Sequence, residues 1–162
     1  MSEEMTTEET IRQLGFDLSA AQKWANGGKI EVWVHRYLRS GIGGSTNPQF
    51  SDGLQLARRW WNGPVEVALA DLTPAVGSDP AREYVVEADH WQAITGRMAA
   101  ALTDVQALPP LIVEYRAGEL SVRDGNTRMG AMERLGWTTC WVVIWYNSEE
   151  DYLQHSAKLF NQ

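Results

Sequence analysis

The spacing of apolar positions changes repeatedly along the chain, and each change marks an element. Near the start, Thr6 and Glu9 have capping-box spacing, Ser19 and Gln22 repeat it, and Ile11 and Leu14 give a short apolar face, which predicts two helices. Gly27-Gly28 closes the second, because glycine tolerates the left-handed conformation past a helix end. Ile30, Val32 and Val34 alternate like a strand but equally open a helix through Leu38, and periodicity leaves both open. Residues 40–51 contain Gly41, Gly43, Gly44, Asn47 and Pro48 without any period, which predicts a loop. Asp52 then stands as the cap of a helix bearing Leu54, Ala57, Trp60 and Trp61, stopped by Gly63-Pro64.

From Val65 the pattern becomes an alternation of Val65, Val67 and Leu69 with Glu66 and Ala68, a strand signal. Residues 70–74 read as a turn or short helix, and residues 75–88 are irregular and polar. Trp91, Ile94, Met98, Leu102 and Val105 then step by threes and fours, predicting a long helix over 89–108 that ends at Pro109-Pro110. A hairpin follows, with Leu111–Arg116 and Leu120–Arg123 as strands around Ala117-Gly118-Glu119. After a bend at 124–128 comes a short helix over 127–135, with Met129, Met132 and Leu135 on its buried side and Gly136 as C-cap. Residues 138–146 are apolar on both faces, which predicts an internal strand, and 148–160 form a polar helix. The expected class is α+β, one domain with a small mixed sheet: a helical N-terminal extension over 1–63, a core over 64–147 and a C-terminal helix over 148–162.

Composition narrows the function more than the fold. A chain of 162 residues, 44% hydrophobic and 22% charged, is long and apolar enough to bury its own core. No apolar run approaches the ~18 residues of a membrane span, and the acidic start Met1-Ser2-Glu3-Glu4 is not a signal peptide. A single cysteine, Cys140, excludes an internal disulfide framework and a cysteine-rich zinc site; in an apolar strand it reads as an inert core thiol, and a cytoplasmic location is expected. Residues 1–62 hold seven basic and seven acidic side chains, and residues 63–162 hold seven and fourteen, so the whole net charge of −7 lies in the later part. A duplex-DNA binder normally presents a basic face, so DNA is not an expected partner, whereas a single phosphate site needs few charges. The eight tryptophans, Trp24, Trp33, Trp60, Trp61, Trp91, Trp137, Trp141 and Trp145, are expected mainly as core anchors, with room for one or two at a ligand pocket.

The stretch Asp124-Gly125-Asn126-Thr127-Arg128 carries the most chemistry. A strand that turns at once into a helix leaves unpaired N–H groups at the helix start, and the helix dipole favours an anion there. Gly125 allows close backbone approach, Asn126 and Thr127 are neutral donors, and Arg128 supplies a fork suited to phosphate oxygens. Asp124 could orient Arg128, hold a metal or take a proton from a hydroxyl. The competing reading is a plain Asp-Gly turn in which Asp124 or Asn126 caps the helix. The glycines at 41–44 lack the Gly-Lys-Ser/Thr ending of a phosphate loop and read as a connector. His35, His90 and His155 have no metal spacing, and no metal site is expected. His35, near Arg36 and Arg39, reads by default as part of a solvated face. Glu83, Glu87 and Asp89 read as a solvated acidic loop or as a source of a general base, and Glu114 and Glu119 are expected to face water.

From Val65 to about Tyr146 the order of elements resembles the ParB/sulfiredoxin superfamily: the strand 65–69 with Ala70-Asp71-Leu72-Thr73-Pro74, the long helix, Leu108-Pro109-Pro110-Leu111-Ile112-Val113, the hairpin, Val122-Arg123-Asp124-Gly125-Asn126-Thr127-Arg128 and Ala131–Gly136. The resemblance covers about half the chain and implies a ParB/sulfiredoxin-like core. It implies that Gly125, Asn126, Thr127 and Arg128 bind nucleotide phosphates, with ATP, ADP or CTP as ligand and Mg2+ as its companion. Asp79-Pro80-Ala81-Arg82 is similar to the arginine-bearing segment of the partition proteins, which makes Arg82 a second phosphate residue. Asp124 is the favoured catalytic carboxylate, for a hydrolase or a small-molecule phosphotransferase.

Departures narrow the reading. Asn126 stands where sulfiredoxins carry their nucleophilic cysteine, so that activity is not expected. Thr127 replaces the histidine of the Asp-Gly-x-His-Arg pattern of the serine-kinase branch and cannot shuttle a proton near neutral pH, which weighs on transfer but not on phosphate binding. The arginine-rich loop of the partition proteins and their downstream helix-turn-helix are also missing from this stretch of sequence. The alternative function is a non-catalytic interaction or regulatory module, with a protein partner on the tryptophan-rich N-terminal part; a DNA-binding or nuclease role ranks below both.

Overall fold

The computed structural model describes residues 7–41 and 47–160; Thr6 of the first capping pair and residues 42–46 of the glycine connector lie outside the described residues. Helices α1 (Thr7–Gln13), α2 (Leu18–Asn26), α3 (Ile30–Arg39) and α4 (Pro48–Leu54) come first. Asp17, not Ser19, caps α2, its Oδ1 accepting from the Ala20 N–H at 3.2 Å. The segment from Ile30 is a helix, because Ile30, Trp33, Val34, Tyr37 and Leu38 bury one stripe while Val32 points outward.

The helix expected from Asp52 through Trp61 is replaced by two elements. Asn47 caps α4, accepting from the Phe50 N–H at 3.1 Å, and α4 stops at Leu54. Trp60 and Trp61 open strand β1 (Trp60–Ala68), opposite Tyr146 and Trp145 of β7 (Thr139–Tyr146). Gly63-Pro64 therefore lies inside a strand. The register shifts between Asn62 and Val65, and such a bulge accommodates a proline that has no N–H to give the ladder.

A single 3₁₀ turn at Leu69–Asp71 leads to β2 (Leu72–Pro74), then β3 (Val76–Gly77) and β4 (Tyr84–Val85), which form a small parallel pair inside the stretch expected to be irregular. Helix α5 (Ala88–Ala101) stops short of the expected Leu108, and a separate 3₁₀ turn follows at Val105–Ala107. Strands β5 (Leu111–Arg116) and β6 (Glu119–Asp124), helix α6 (Asn126–Arg134), β7 and helix α7 (Glu149–Phe160) fall close to their expected places. The main sheet runs β1-β7-β5-β6-β2 and is mixed: β5 is parallel to β7 and β2 to β6, while β1–β7 and β5–β6 are antiparallel. The architecture is α+β, as expected, and β7 is internal.

Successive side chains of a strand point to opposite faces, and both faces of β5 and β7 are covered. Leu111, Val113, Val142 and Ile144 join Met129, Met132 and Val122 in one core. Ile112, Val143 and Trp145 point the other way, into Trp33, Val34, Tyr37, Leu38 and Leu54 of the N-terminal helices. Helix α5 closes on α6 at Gly130, where a Cβ would lie 2.7 Å from Thr95 Cγ2 and 3.0 Å from Trp91 Cζ2. Helix α7 is tied to the sheet by a polar cluster: Asn62 Nδ2 donates to the Tyr146 hydroxyl at 3.0 Å and to Ser156 Oγ at 2.7 Å, and that hydroxyl shares a hydrogen bond with His155 Nδ1. The His155 ring also lies 4.5 Å from that of Tyr115. Among the described residues, no helix is long and apolar enough to cross a membrane.

Gly130→Val is expected to destabilise the fold by about 1–3 kcal/mol through overpacking, read as a lower urea midpoint. Burial, with the nearby Lys158 charge, lowers the pKa of His155, and burial likewise lowers that of His35. The fold thus favours the neutral form of both rings, and their contribution is full above the ordinary value of 6.5 and declines as pH falls below it. The urea midpoint is expected to drop between about pH 7 and pH 5, and His155→Gln to flatten part of that slope.

Candidate functional site

Strand β6 ends at Asp124 and α6 begins at Asn126, so Gly125 alone turns the chain, at φ 98 and ψ 20. The Gly125 carbonyl accepts the first helical bond, from the Met129 N–H at 2.9 Å. The N–H groups of Asn126, Thr127 and Arg128 therefore precede the helix's own ladder and carry the positive end of its dipole. A side chain at 125 would collide: its Cβ would stand 2.4 Å from Leu111 Cδ2 and 2.9 Å from Arg128 Nη2.

The side chains around this turn divide into engaged and free. The Asn126 carboxamide is buried, with Oδ1 accepting from the N–H groups of Ala75 at 2.9 Å and Val76 at 3.2 Å and Nδ2 donating to the Val122 carbonyl at 3.0 Å. It ties the approach to β3 onto the start of α6. Arg128 is also buried: Nη2 donates to the Tyr37 hydroxyl at 3.0 Å and to Asp124 Oδ2 at 3.1 Å, and Nη1 donates to the Pro109 carbonyl. Asp124 thus orients Arg128, one of the roles open to it from sequence. Burial comes first among the causes that push the Tyr37 phenol up to about 12, against the lowering effect of Arg128, so it stays neutral. The Thr127 hydroxyl takes no hydrogen-bond partner among the described residues. The Arg82 stem lies over Gly77, the residue after Val76, and its Nη2 is 3.8 Å from Asp79 Oδ2. Asn126 is bonded to Val76 and the neighbouring Gly77 lies under the Arg82 stem, so Arg82 is two contacts removed from the start of α6.

The remaining candidates take structural places. Glu83 pairs with Arg123 at 2.6 Å, and Glu87 caps α5, accepting from the N–H groups of Asp89 and His90. Glu114, expected to face water, has a side chain only 15% exposed and sits 3.3 Å from Arg123. Cys140 is fully buried and burial raises its thiol to about 12, an inert core group as expected. His35 is drawn inward rather than solvated, with Nδ1 2.7 Å from Ser51 Oγ and Nε2 3.9 Å from Glu31 Oε1. A hydroxyl, an imidazole and a carboxylate in line suggest an activated nucleophile. Ser51 has no exposed surface, however, and Arg39 Nε donates to the same oxygen at 3.1 Å, so the cluster clamps α3 to α4. The residues that sequence reasoning missed at the turn are Tyr37 and Pro109; Tyr37 lies 91 positions from Arg128 in a different layer, and no local signal links them.

No protein-family model matches the chain. No curated protein matches it. Among solved structures it is similar to sulfiredoxin from Arabidopsis thaliana, at 18% identity over 56% of this chain and 92% of that one, with a TM-score of 0.33. It is also similar to a C-terminally truncated chromosome-partitioning protein ParB from Caulobacter crescentus complexed with CTP-γ-S, at 17% identity over 62% of this chain, with a TM-score of 0.35. The chain spans about half of that ParB chain, 54% of its length.

Asn126→Ala is expected to leave two backbone N–H groups and a carbonyl without partners, and to destabilise the protein by about 1–3 kcal/mol, measured by chemical denaturation.

Proposed function

We propose that this chain binds the phosphate groups of a nucleotide at the start of α6. The supporting observation is the trio of amides of Asn126, Thr127 and Arg128, standing ahead of the first helical bond at a glycine whose φ of 98 would strain any side chain placed there. The free Thr127 hydroxyl adds a neutral donor. Arg82, with a side chain 28% exposed and a 3.8 Å ion pair to Asp79, is the cation assigned to exchange that partner for a phosphate. Arg128 acts from within, its guanidinium packed beside Gly125 and lending charge to the turn. ATP, ADP and CTP are the candidate ligands, by the resemblance of the 122–136 segment.

Asp124 does not fit a protein-held Mg2+ site, since Arg128 engages its carboxylate and both side chains are about nine-tenths buried. A magnesium ion would come with the nucleotide, bound by its phosphates and by water. The same pairing bears on turnover. Asp124 gives Oδ2 to Arg128 and its side chain is about nine-tenths buried, which leaves a single, poorly exposed oxygen to meet a substrate hydroxyl. The arrangement favours binding without turnover over hydrolysis or phosphoryl transfer. A docking surface built from the N-terminal tryptophans is less favoured, because Trp33 is buried and Trp61 packs toward Trp145 of the same sheet.

Thermal unfolding with ATP, ADP and CTP, each with and without Mg2+, tests the reading. At least one nucleotide is expected to raise the midpoint, with about 2.7 kcal/mol of stabilisation at a hundredfold excess over Kd. Thr127→Val and Arg82→Ala are expected to weaken that shift without lowering the ligand-free midpoint. No shift with any of the three would end the proposal. Phosphate release no faster than in Asp124→Asn is the expected result for binding without turnover.

A further inference from the structure

Tyr37 belongs to α3, in the N-terminal helical layer, yet its hydroxyl reaches the turn between β6 and α6. Its place is set by aromatic packing: it is 4% exposed, its ring is stacked on Trp33 at 5.3 Å and 12°, and Phe16 lies 5.9 Å away. The Arg128 guanidinium approaches the Tyr37 ring at 5.9 Å and donates to its oxygen. The same Nη2 lies 2.9 Å from the point where a Gly125 Cβ would be. The fork is thus clamped between Tyr37 and the Gly125 backbone, with Asp124 and the Pro109 carbonyl completing its acceptors.

We infer that Tyr37 is a positioning residue for the anion seat. Acting through Arg128, it holds Gly125 in its left-handed turn and keeps Asp124 paired, so the docked N-terminal layer sets the affinity of the amides of α6. The functional half of this inference rests on the phosphate-binding reading above; the mechanical half does not. Losing the phenol oxygen leaves a buried N–H of Arg128 without an acceptor, and a buried donor left unmet is unfavourable. The guanidinium then shifts toward its remaining acceptors. Gly125 loses the flat wall it packs against, and the amides of α6 lose their fixed spacing. Each consequence disfavours a bound anion.

Tyr37→Phe keeps the ring and its stack and removes the oxygen alone. Hydrogen exchange of the ligand-free full chain gives the first readout. Exchange at residues 125–129 is expected to speed up about tenfold in Tyr37→Phe, while residues 142–146 of β7 stay unchanged; unchanged exchange at 125–129, or an equal rise in β7, overturns the brace. The second readout is the Kd of whichever of ATP, ADP and CTP stabilises the wild type. Tyr37→Phe is expected to weaken it about five- to tenfold, to add nothing further in an Arg128→Gln background, and to leave the effect of Arg82→Ala unchanged. If Arg128→Gln fails to fold, Arg128→Lys, which keeps the charge but not the fork, replaces it. Unaltered affinity in Tyr37→Phe, or an effect that adds in full to the Arg128 variant, overturns the coupling. A wild type that binds none of the three nucleotides overturns the phosphate reading and the affinity claim together, and hydrogen exchange still decides the brace.

Discussion

A sheet whose inner strands are apolar on both faces must be covered twice. Leu111, Val113, Val142 and Ile144 on one face and Ile112 and Val143 on the other have no exposed surface at all. Each such side chain returns about 1.5–3 kcal/mol when taken out of water. One cover comes from Met129 and Met132 of α6 and from the strands' neighbours. The other comes from α1 to α4, whose stripe of Ile30, Trp33, Val34, Tyr37 and Leu38 lies against Ile112, Val143 and Trp145. The N-terminal helices are thus half of the core's wall, and β1, which starts among their residues, is an edge of the same sheet.

Double cover has a consequence for polar groups. Where two layers meet, burial of a polar side chain favours a partner for it, although the indole N–H groups of Trp61 and Trp145 and Nε2 of His35 have no hydrogen-bond partner among the described residues. Three seams carry such groups. Asn62, Tyr146, His155 and Ser156 join α7 to the sheet; His35, Arg39 and Ser51 join α3 to α4; Tyr37, Arg128 and Asp124 join α3 to the turn before α6. The third seam bears on function. It turns inward the arginine that the local sequence offers to a ligand, and it leaves the amides of α6, Thr127 and Arg82 as the groups with capacity to spare. A site of this kind depends on backbone geometry more than on side-chain reach, which is why the single glycine at 125 matters.

The legibility of the chain follows the range of the forces involved. The hairpin at 111–124, the internal strand at 139–146 and helices α6 and α7 were readable because alternation, turn residues and helical spacing are local. Trp60 and Trp61 were misread because Leu54, Ala57, Trp60 and Trp61 satisfy helical spacing and Gly63-Pro64 imitates a helix stop. Pairing with Tyr146 and Trp145, more than eighty positions away, overrode that local signal. Ser19 lost the cap of α2 to Asp17 by a shift of two positions, an error of boundary rather than of kind.

At the candidate site, the sequence alone determined that a strand would turn into a helix at a glycine and leave amides open, since that follows from chain geometry between adjacent residues. It also determined that Asp124, four positions before Arg128, could orient that arginine across the turn. Only the tertiary structure decided that Asn126 would be tied to Ala75 and Val76 and that Arg128 would be held by Tyr37 and Pro109. Hydrogen-bonding capacity is written into a residue, but which partner takes it up depends on the layers that pack around it, and those layers are assembled from distant parts of the chain.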